Sequence, residues 1–385
     1  MTSLLVLVVL VLVSVAIWQL TKIFDLTQVG GDADNSQVAN DNDNNVNGYL
    51  MFAFLVFIYI TTIVCVVKYG HFPLMSNSAS EHGVEVDRLM WISMILIFFV
   101  QTITQALLHF FAYKYRGKKG NKALYFADNN KLEMIWSIIP AITLAGLILY
   151  GLYAWTNIMF VDEEAENPMV VEVYAYQFGW KIRYAGEDNV LGKANVRYIE
   201  GINDMGVDLA DPNAQDDIQA SELHLPKGVK VVFKIRSQDV LHSAYMPHFR
   251  AQMNCVPGMV TQFAFTPTIT TLDMRETPEM QEKVANINKI RADKSKQLVA
   301  DGKEALDPYT FDFLLLCNKI CGKSHYNMQM KIVVESKEDF KKWLSEKTTI
   351  AQTIKSQEKK AEEGEVETDS TKVVVDSTLV AQKLK

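Results

Sequence analysis

Hydrophobic and polar positions divide this chain near residue 160. Before that point the apolar runs are long and nearly free of charge; after it they are short, rich in Val, Ile, Phe and Tyr, and broken by Gly, Pro or Asn. Four long runs, approximately Leu4–Leu20, Tyr49–Tyr69, Leu89–Tyr113 and Leu132–Trp155, come close to the ~20 apolar residues that carry a helix across a bilayer. They predict four transmembrane helices: two additional ones with a polar loop in residues 1–70, and a helical hairpin over 88–157. The third run carries Gln101, Thr102, Thr104, Gln105 and His109, polar groups expected to face protein rather than lipid. Trp91, Tyr113, Trp136 and Trp155 lie near run ends, where interfacial aromatic belts form.

Charge in the connecting loops sets the orientation. The loop Lys114–Lys131 holds six Lys or Arg, against one each in 21–48 and 70–88. The positive-inside bias puts that loop in the cytoplasm and the C-terminal half outside. The first run resembles a signal peptide at Ser14-Val-Ala16, yet it lacks a basic leader. Cleavage there would also leave three helices and turn the C-terminal half inward, against the basic loop, so the first helix is retained. Glu133, in the opening turns of the fourth helix, reads in two ways. It is a carboxylate favoured by the positive helix N-terminus, or an intramembrane acid that handles protons.

In the second half, the runs MVVEVYAYQF, KVVFKIR, VTQFAFTP, FDFLLLC and MQMKIVVE read as β-strands of a sandwich or barrel over 160–348. Stretches near 186–224 and 269–307 look like insertions, the second containing a solvent-facing charged helix. Residues 349–385, dense in charge and poor in aromatics, predict a disordered tail. A net charge of −7 and the lack of a basic aromatic stripe argue against a nucleic-acid partner.

The chain has four cysteines, with Cys65 in an apolar run and Cys255 alone, so a disulfide framework is not expected. The other two lie in CNKICGKSHYNM, where Cys317, Cys321, His325 and Met328 fall between two strands. A zinc staple or a thiol pair is one reading of such a loop. The methionine favours copper, because a thioether is a poor zinc ligand. A mononuclear blue copper site needs one cysteine; two thiolates can bridge a copper pair, each metal then taking a terminal imidazole. The second imidazole must come from elsewhere among His224, His242 and His248. His242, just after the strand KVVFKIR, is the best placed, with His248 next.

Taken together, Cys-x-x-x-Cys-x-x-x-His-x-x-Met and the upstream Asp239-Val-Leu-His242-Ser resemble the copper A signature of subunit II of the haem-copper cytochrome c oxidases. LEMIWSIIPAI and YAYQFGWKIRY are similar to further segments of that family, so the likeness covers approximately 88–340 outside the insertions. The resemblance implies a cupredoxin-like Greek-key β-sandwich on the outer, periplasmic face of a bacterial inner membrane. It implies two copper ions, bridged by Cys317 and Cys321. His242 and His325 would be terminal, Met328 axial to one copper and the Lys319 carbonyl axial to the other, with Asp239 behind His242. Electrons would pass from a c-type cytochrome, or a neighbouring respiratory complex, to haem in the catalytic subunit I, which reduces oxygen coupled to proton translocation.

Glu133 matches the family's carboxylate at the entrance of a proton path, which shifts its reading toward function. Phe178, in Gln177-Phe178-Gly179-Trp180, stands where the family's tryptophan receives the electron, with Trp180 close by. Lys319 replaces the family's glutamate, so a carboxylate for magnesium is missing and that metal is not expected. No Cys-x-x-Cys-His occurs, so no covalent haem c is expected on this chain. The competing readings are a structural subunit of a quinol oxidase, disfavoured by the complete ligand set, and a copper-delivery protein, disfavoured by a loop held between two strands. Nitrous oxide reductase carries a similar centre, but without the helix pair.

Overall fold

The computed structural model describes residues 2–28, 41–70 and 77–362. The chain forms two compact units, residues 1–73 with 94–137, and residues 74–93 with 138–385. Four helices come first: α1 (Thr2–Gln28), α2 (Asp41–Tyr69), α3 (Glu81–Lys114) and α4 (Asn130–Met159). The last three are long and apolar enough to cross a membrane, whereas the described apolar stretch of α1, Val8–Thr21, is shorter than a full crossing. Of the four expected spans, then, the first is helical but falls short of a span among the described residues. Asn129 starts α4 by accepting the Leu132 amide through its side chain at 3.1 Å.

Within the first unit, α2 and α3 run antiparallel. Arg116, at the end of α3, donates to the Asn45 side chain at 2.7 Å and stacks on Tyr113 at 4.0 Å. Gly48 lies so close to Tyr113 that a Cβ there would come within 2.9 Å of the ring. Further along, the Tyr59 hydroxyl donates to the Thr102 carbonyl at 3.2 Å. The expectation that the polar residues of α3 face protein holds for His109, which is buried beside Phe54. Thr102 and Thr104 lie on the exposed surface of this chain, each hydroxyl donating to the carbonyl four residues back at 2.8 Å.

In the second unit a short helix α5 (Glu163–Glu166) leads into a sandwich. Its strands are β1 (Met169–Tyr176), β2 (Gly179–Tyr184), β3 (Ile218–Ala220), β4 (Leu223–Pro226), β5 (Val231–Ser237), β6 (His242–Met246), β7 (Ala251–Cys255), β8 (Thr261–Phe265), β9 (Phe313–Cys317) and β10 (Gln329–Glu335). One sheet runs β3-β2-β1-β5-β8 and the other β4-β10-β9-β6-β7. Both are mixed: β1 pairs parallel with β5, and β4 parallel with β10. The expected cupredoxin-like sandwich is therefore present, and all five runs read as strands from the sequence lie in it. Alternation fixes the faces: Val231, Phe233 and Ile235 of β5 are buried in the shared core with Phe313, Leu315, Ile332 and Val334 of the opposite sheet.

The two insertions differ in kind. Residues 186–217 fold over the outer side of the first sheet, anchored by a buried ion network. Arg183 donates to Glu172 at 2.6 Å and to Asp217 at 2.7 Å, and Arg236 also pairs with Glu172. Burial raises the Glu172 pKa, but the two guanidinium groups outweigh it and hold the carboxyl below its usual range. The expected insertion 186–224 ends sooner than its sequence suggested, because β3 and the start of β4 fall inside it. The second insertion holds α6 (Thr271–Glu276), capped by Thr270, and α7 (Pro278–Ala300), the charged helix anticipated there.

After β10 come α8 (Lys337–Ser345), capped by Ser336, and α9 (Ile350–Glu362). The expectation of a disordered tail from 349 is corrected over 350–362. Ile350, Ala351 and Ile354 are buried, and the Ile350 amide donates to the Asp217 carbonyl at 2.8 Å. A few apolar residues at helical spacing are enough to dock an otherwise charged segment. Residues 363–385 lie outside the described residues.

Candidate metal centre

His242 opens β6 and Cys317 closes β9; these strands are antiparallel neighbours, with Ala244 opposite Cys317. The β9–β10 connection carries the remaining candidates. It is pinned where the Cys317 amide donates to the Met328 carbonyl at 3.1 Å and the Asn318 amide to the Ser243 carbonyl at 3.2 Å. A short 3₁₀ turn, His325–Asn327, brings His325 and Met328 back toward the cysteines.

The two cysteine sulfurs are 3.9 Å apart. Both thiols are free, since a disulfide would bring the sulfurs to about 2.05 Å. The Cys317 Sγ is 3.8 Å from His242 Nδ1 and 3.2 Å from the Lys319 carbonyl oxygen. The Cys321 Sγ is 3.6 Å from His325 Nδ1 and 3.8 Å from Met328 Sδ. His242, Cys317 and Cys321 form a group whose donor atoms all lie within 4.8 Å of one another. His325 lies against Cys321 and is outside that group of three. Every donor expected from the sequence, His242, Cys317, the Lys319 carbonyl, Cys321, His325 and Met328, is thus gathered at one end of the sandwich.

The residues fit a metal. With metal–thiolate bonds of about 2.3 Å, the zinc value, two thiolates can share one metal up to about 4.6 Å apart. The observed sulfur separation is inside that limit. His242 is fully buried and presents Nδ1 to the sulfurs because its Nε2 is bonded to Asp239 Oδ1 at 2.8 Å. An outer carboxylate of this kind fixes the ring orientation of a metal-binding histidine. Asp239 also accepts the Val240 amide at 2.7 Å on Oδ1 and the Gln177 amide at 2.7 Å on Oδ2. Burial raises its pKa, but these three hydrogen bonds together bring it below the ordinary aspartate value. Burial and the adjacent Cys317 thiol push Cys321 up to about 11. Without a metal that thiol keeps its proton near neutrality, and metal binding must release it.

The other histidines are engaged elsewhere. His224 stacks on Trp343 at 3.9 Å between ring centroids and bonds Glu335 at 2.8 Å. His248 lies edge-on to Phe311 and Phe313, and burial lowers its pKa to about 4, helped by the charges of Lys283 and Arg250. The structure therefore brings His242, and not His248, beside the two cysteines.

Phe178 is half-buried on the β1–β2 turn, with its ring against Gly322. Trp180 is only 5% exposed and lies in the core, edge-on to the His242 ring at 6.4 Å. Of the two aromatic residues, Phe178 is the one near the surface. Glu133 is exposed in the first turn of α4, in the other unit. Lys319 is exposed, with its carbonyl turned to the sulfurs.

Three residues at the site were not singled out in the sequence. The Gln177 side chain donates to the Cys321 carbonyl. Gly322 has φ +137° and would bring a Cβ within 2.8 Å of the Phe178 ring. Cys255 is buried opposite His242 in the β6–β7 ladder, with burial raising its thiol to about 12. The glycine next to Cys321 was the one visible signal; the other contacts depend on which strands pair.

Such a fold and donor set define a membrane-anchored protein whose sandwich gathers thiol, imidazole and thioether groups able to hold a metal. The family description "Cytochrome C oxidase subunit II, transmembrane domain" matches residues 69–154. The alternative cytochrome c oxidase subunit 2 of Bradyrhizobium diazoefficiens is 33% identical over 255 residues, covering 66% of this chain and 76% of that protein. The probable cytochrome c oxidase subunit 2 of Rickettsia bellii is 24% identical over 284 residues, covering 72% of this chain and 82% of its own. Among solved structures, the periplasmic domain of subunit II of cytochrome oxidase from Bradyrhizobium japonicum is 17% identical. It covers 46% of this chain and 91% of its own with a TM-score of 0.26, below the level at which shared fold can be argued. On its sequence relatives, the chain belongs to the cytochrome c oxidase subunit II family.

Proposed function

We propose that this chain is the electron-receiving subunit of a respiratory cytochrome c oxidase, holding a dinuclear copper A centre in the loop 317–328 and at His242. The observation that carries the reading is the convergence of two free thiols, two imidazole Nδ1 atoms, one thioether and one carbonyl at one end of the sandwich. A copper pair bound here would supply one-electron transfer, with the electron shared over two metals. Cys317, Cys321, His242, His325, Met328 and the Lys319 carbonyl would hold the pair, the two thiolates between the metals and the other donors around them. Asp239 keeps His242 in the tautomer that leaves Nδ1 free for metal. Burial of His242, Cys321 and Met328 excludes water from the centre, so little solvent reorganises when charge moves.

The donor is a c-type cytochrome, which meets the half-buried Phe178; the acceptor is haem in the catalytic subunit. Glu133 serves a proton path that belongs largely to that partner. The six basic residues of the loop 114–131 support a cytoplasmic position for that loop, which in this reading leaves the sandwich on the outer face of a bacterial inner membrane. Rapid mixing of a reduced c-type cytochrome with the assembled, copper-loaded oxidase tests this. Cytochrome oxidation should be fast, and Phe178→Ala should slow it without changing copper content. Oxidation at the same rate in a Cys317→Ser/Cys321→Ser oxidase would refute it.

A further inference from the structure

The loop 318–328 is tethered to its own sheet by the backbone bonds at Cys317 and Asn318, and within itself by the 3₁₀ turn. Among the described residues, the one hydrogen bond to that loop from the opposite sheet's strands and turns comes from Gln177, on the turn between β1 and β2. Its side-chain amide donates to the Cys321 carbonyl. The same residue's backbone amide donates to Asp239 Oδ2 at 2.7 Å, and Asp239 Oδ1 holds His242 Nε2 at 2.8 Å. One residue therefore joins both arms of the centre, the histidine arm through Asp239 and the cysteine arm through the Cys321 carbonyl. Next to it, the Phe178 ring lies against Gly322, closing the turn onto the loop.

We propose that Gln177 is a positioning residue of the metal centre, clamping the cysteine loop to the Asp239–His242 arm across the two sheets. It touches neither metal nor electron donor in this role; it acts by fixing where Cys321 stands relative to His242. The inference rests on the copper reading above. Gln177 is exposed and is not part of the core, so replacing its side chain leaves the sandwich intact and spares its backbone bond to Asp239.

The test uses the full-length chain in detergent, loaded with copper, as wild type, Gln177→Met, Gln177→Glu and Gln177→Lys. Met keeps the length without a donor, Glu keeps the shape but puts an acceptor where the amide donated, and Lys restores a donor. The readouts are copper per chain, the electron paramagnetic resonance line shape, and the rate at which a copper(I) chelator removes metal from the reduced protein. Gln177→Met and Gln177→Glu should retain the wild-type copper content and unfolding midpoint but release copper roughly fivefold faster, the size expected for one lost hydrogen bond. Their line shape should change, and Gln177→Lys should recover most of the difference. Release rates and spectra equal to wild type in both Met and Glu variants would overturn the clamp while leaving the copper reading intact. A wild-type chain that fails to hold two coppers would overturn both.

Discussion

Replacing Gly322 by alanine isolates the contact between the β1–β2 turn and the cysteine loop. Two costs can be worked from the structure. At φ +137° an L side chain is strained, at about 1–3 kcal/mol. The new Cβ would also stand 2.8 and 2.9 Å from two Phe178 ring atoms and 3.1 Å from the Gln177 amide nitrogen, so the ring must move. Because Phe178 is half-buried, it can swing outward and lose packing rather than collide, which puts the second cost near the lower end of about 1–3 kcal/mol for overpacking. The total is roughly 2–4 kcal/mol. The assay is urea unfolding of the full-length protein in detergent, followed by tryptophan fluorescence, to which the sandwich contributes Trp180 and Trp343. In a Phe178→Ala background the ring term disappears, so Gly322→Ala should cost at least about 1 kcal/mol less there. Equal costs in the two backgrounds would show that the turn does not press on the loop, and the reasoning would fail.

Two other perturbations probe the sandwich. Arg183→Met leaves Asp217 and one side of Glu172 without a guanidinium partner, and should cost about 3–5 kcal/mol in the same unfolding assay. For His248 the folded pKa, about 4, is below the ordinary 6.5, so the native state binds fewer protons than the unfolded chain between those values. The stability that neutral His248 permits is present above pH 6.5 and is lost as pH falls through 4. The loss reaches at most about 3 kcal/mol. Stability measured against pH should flatten over this window in His248→Phe, and an unchanged slope would remove this histidine from the account.

The grouping of the candidate donors was legible because most of it is local in sequence. Cys317, Cys321, His325 and Met328 share one loop, and the demand for another imidazole pointed to His242. The choice against His248 became firm only with the fold, since His242 lies one strand from Cys317 whereas His248 faces Phe311 and Phe313. The five strands with apolar runs were readable, whereas β2, β6 and β7 were not read as strands, and β3 with the start of β4, too short to show a period, was absorbed into an insertion. The same limit applied to α9, whose docking depends on Ile350, Ala351 and Ile354 amid a charged background. Gln177 was invisible as a clamp because its partners, Asp239 and Cys321, lie 62 and 144 residues away.

The most direct measurement is metal analysis combined with electron paramagnetic resonance on the copper-loaded full-length chain. Two coppers per chain and one unpaired electron delocalised over both nuclei are expected, with Cys317→Ser or Cys321→Ser collapsing the pair. Met328→Leu should shift the reduction potential while keeping both metals. A single zinc, or one copper with a localised signal, would contradict the account.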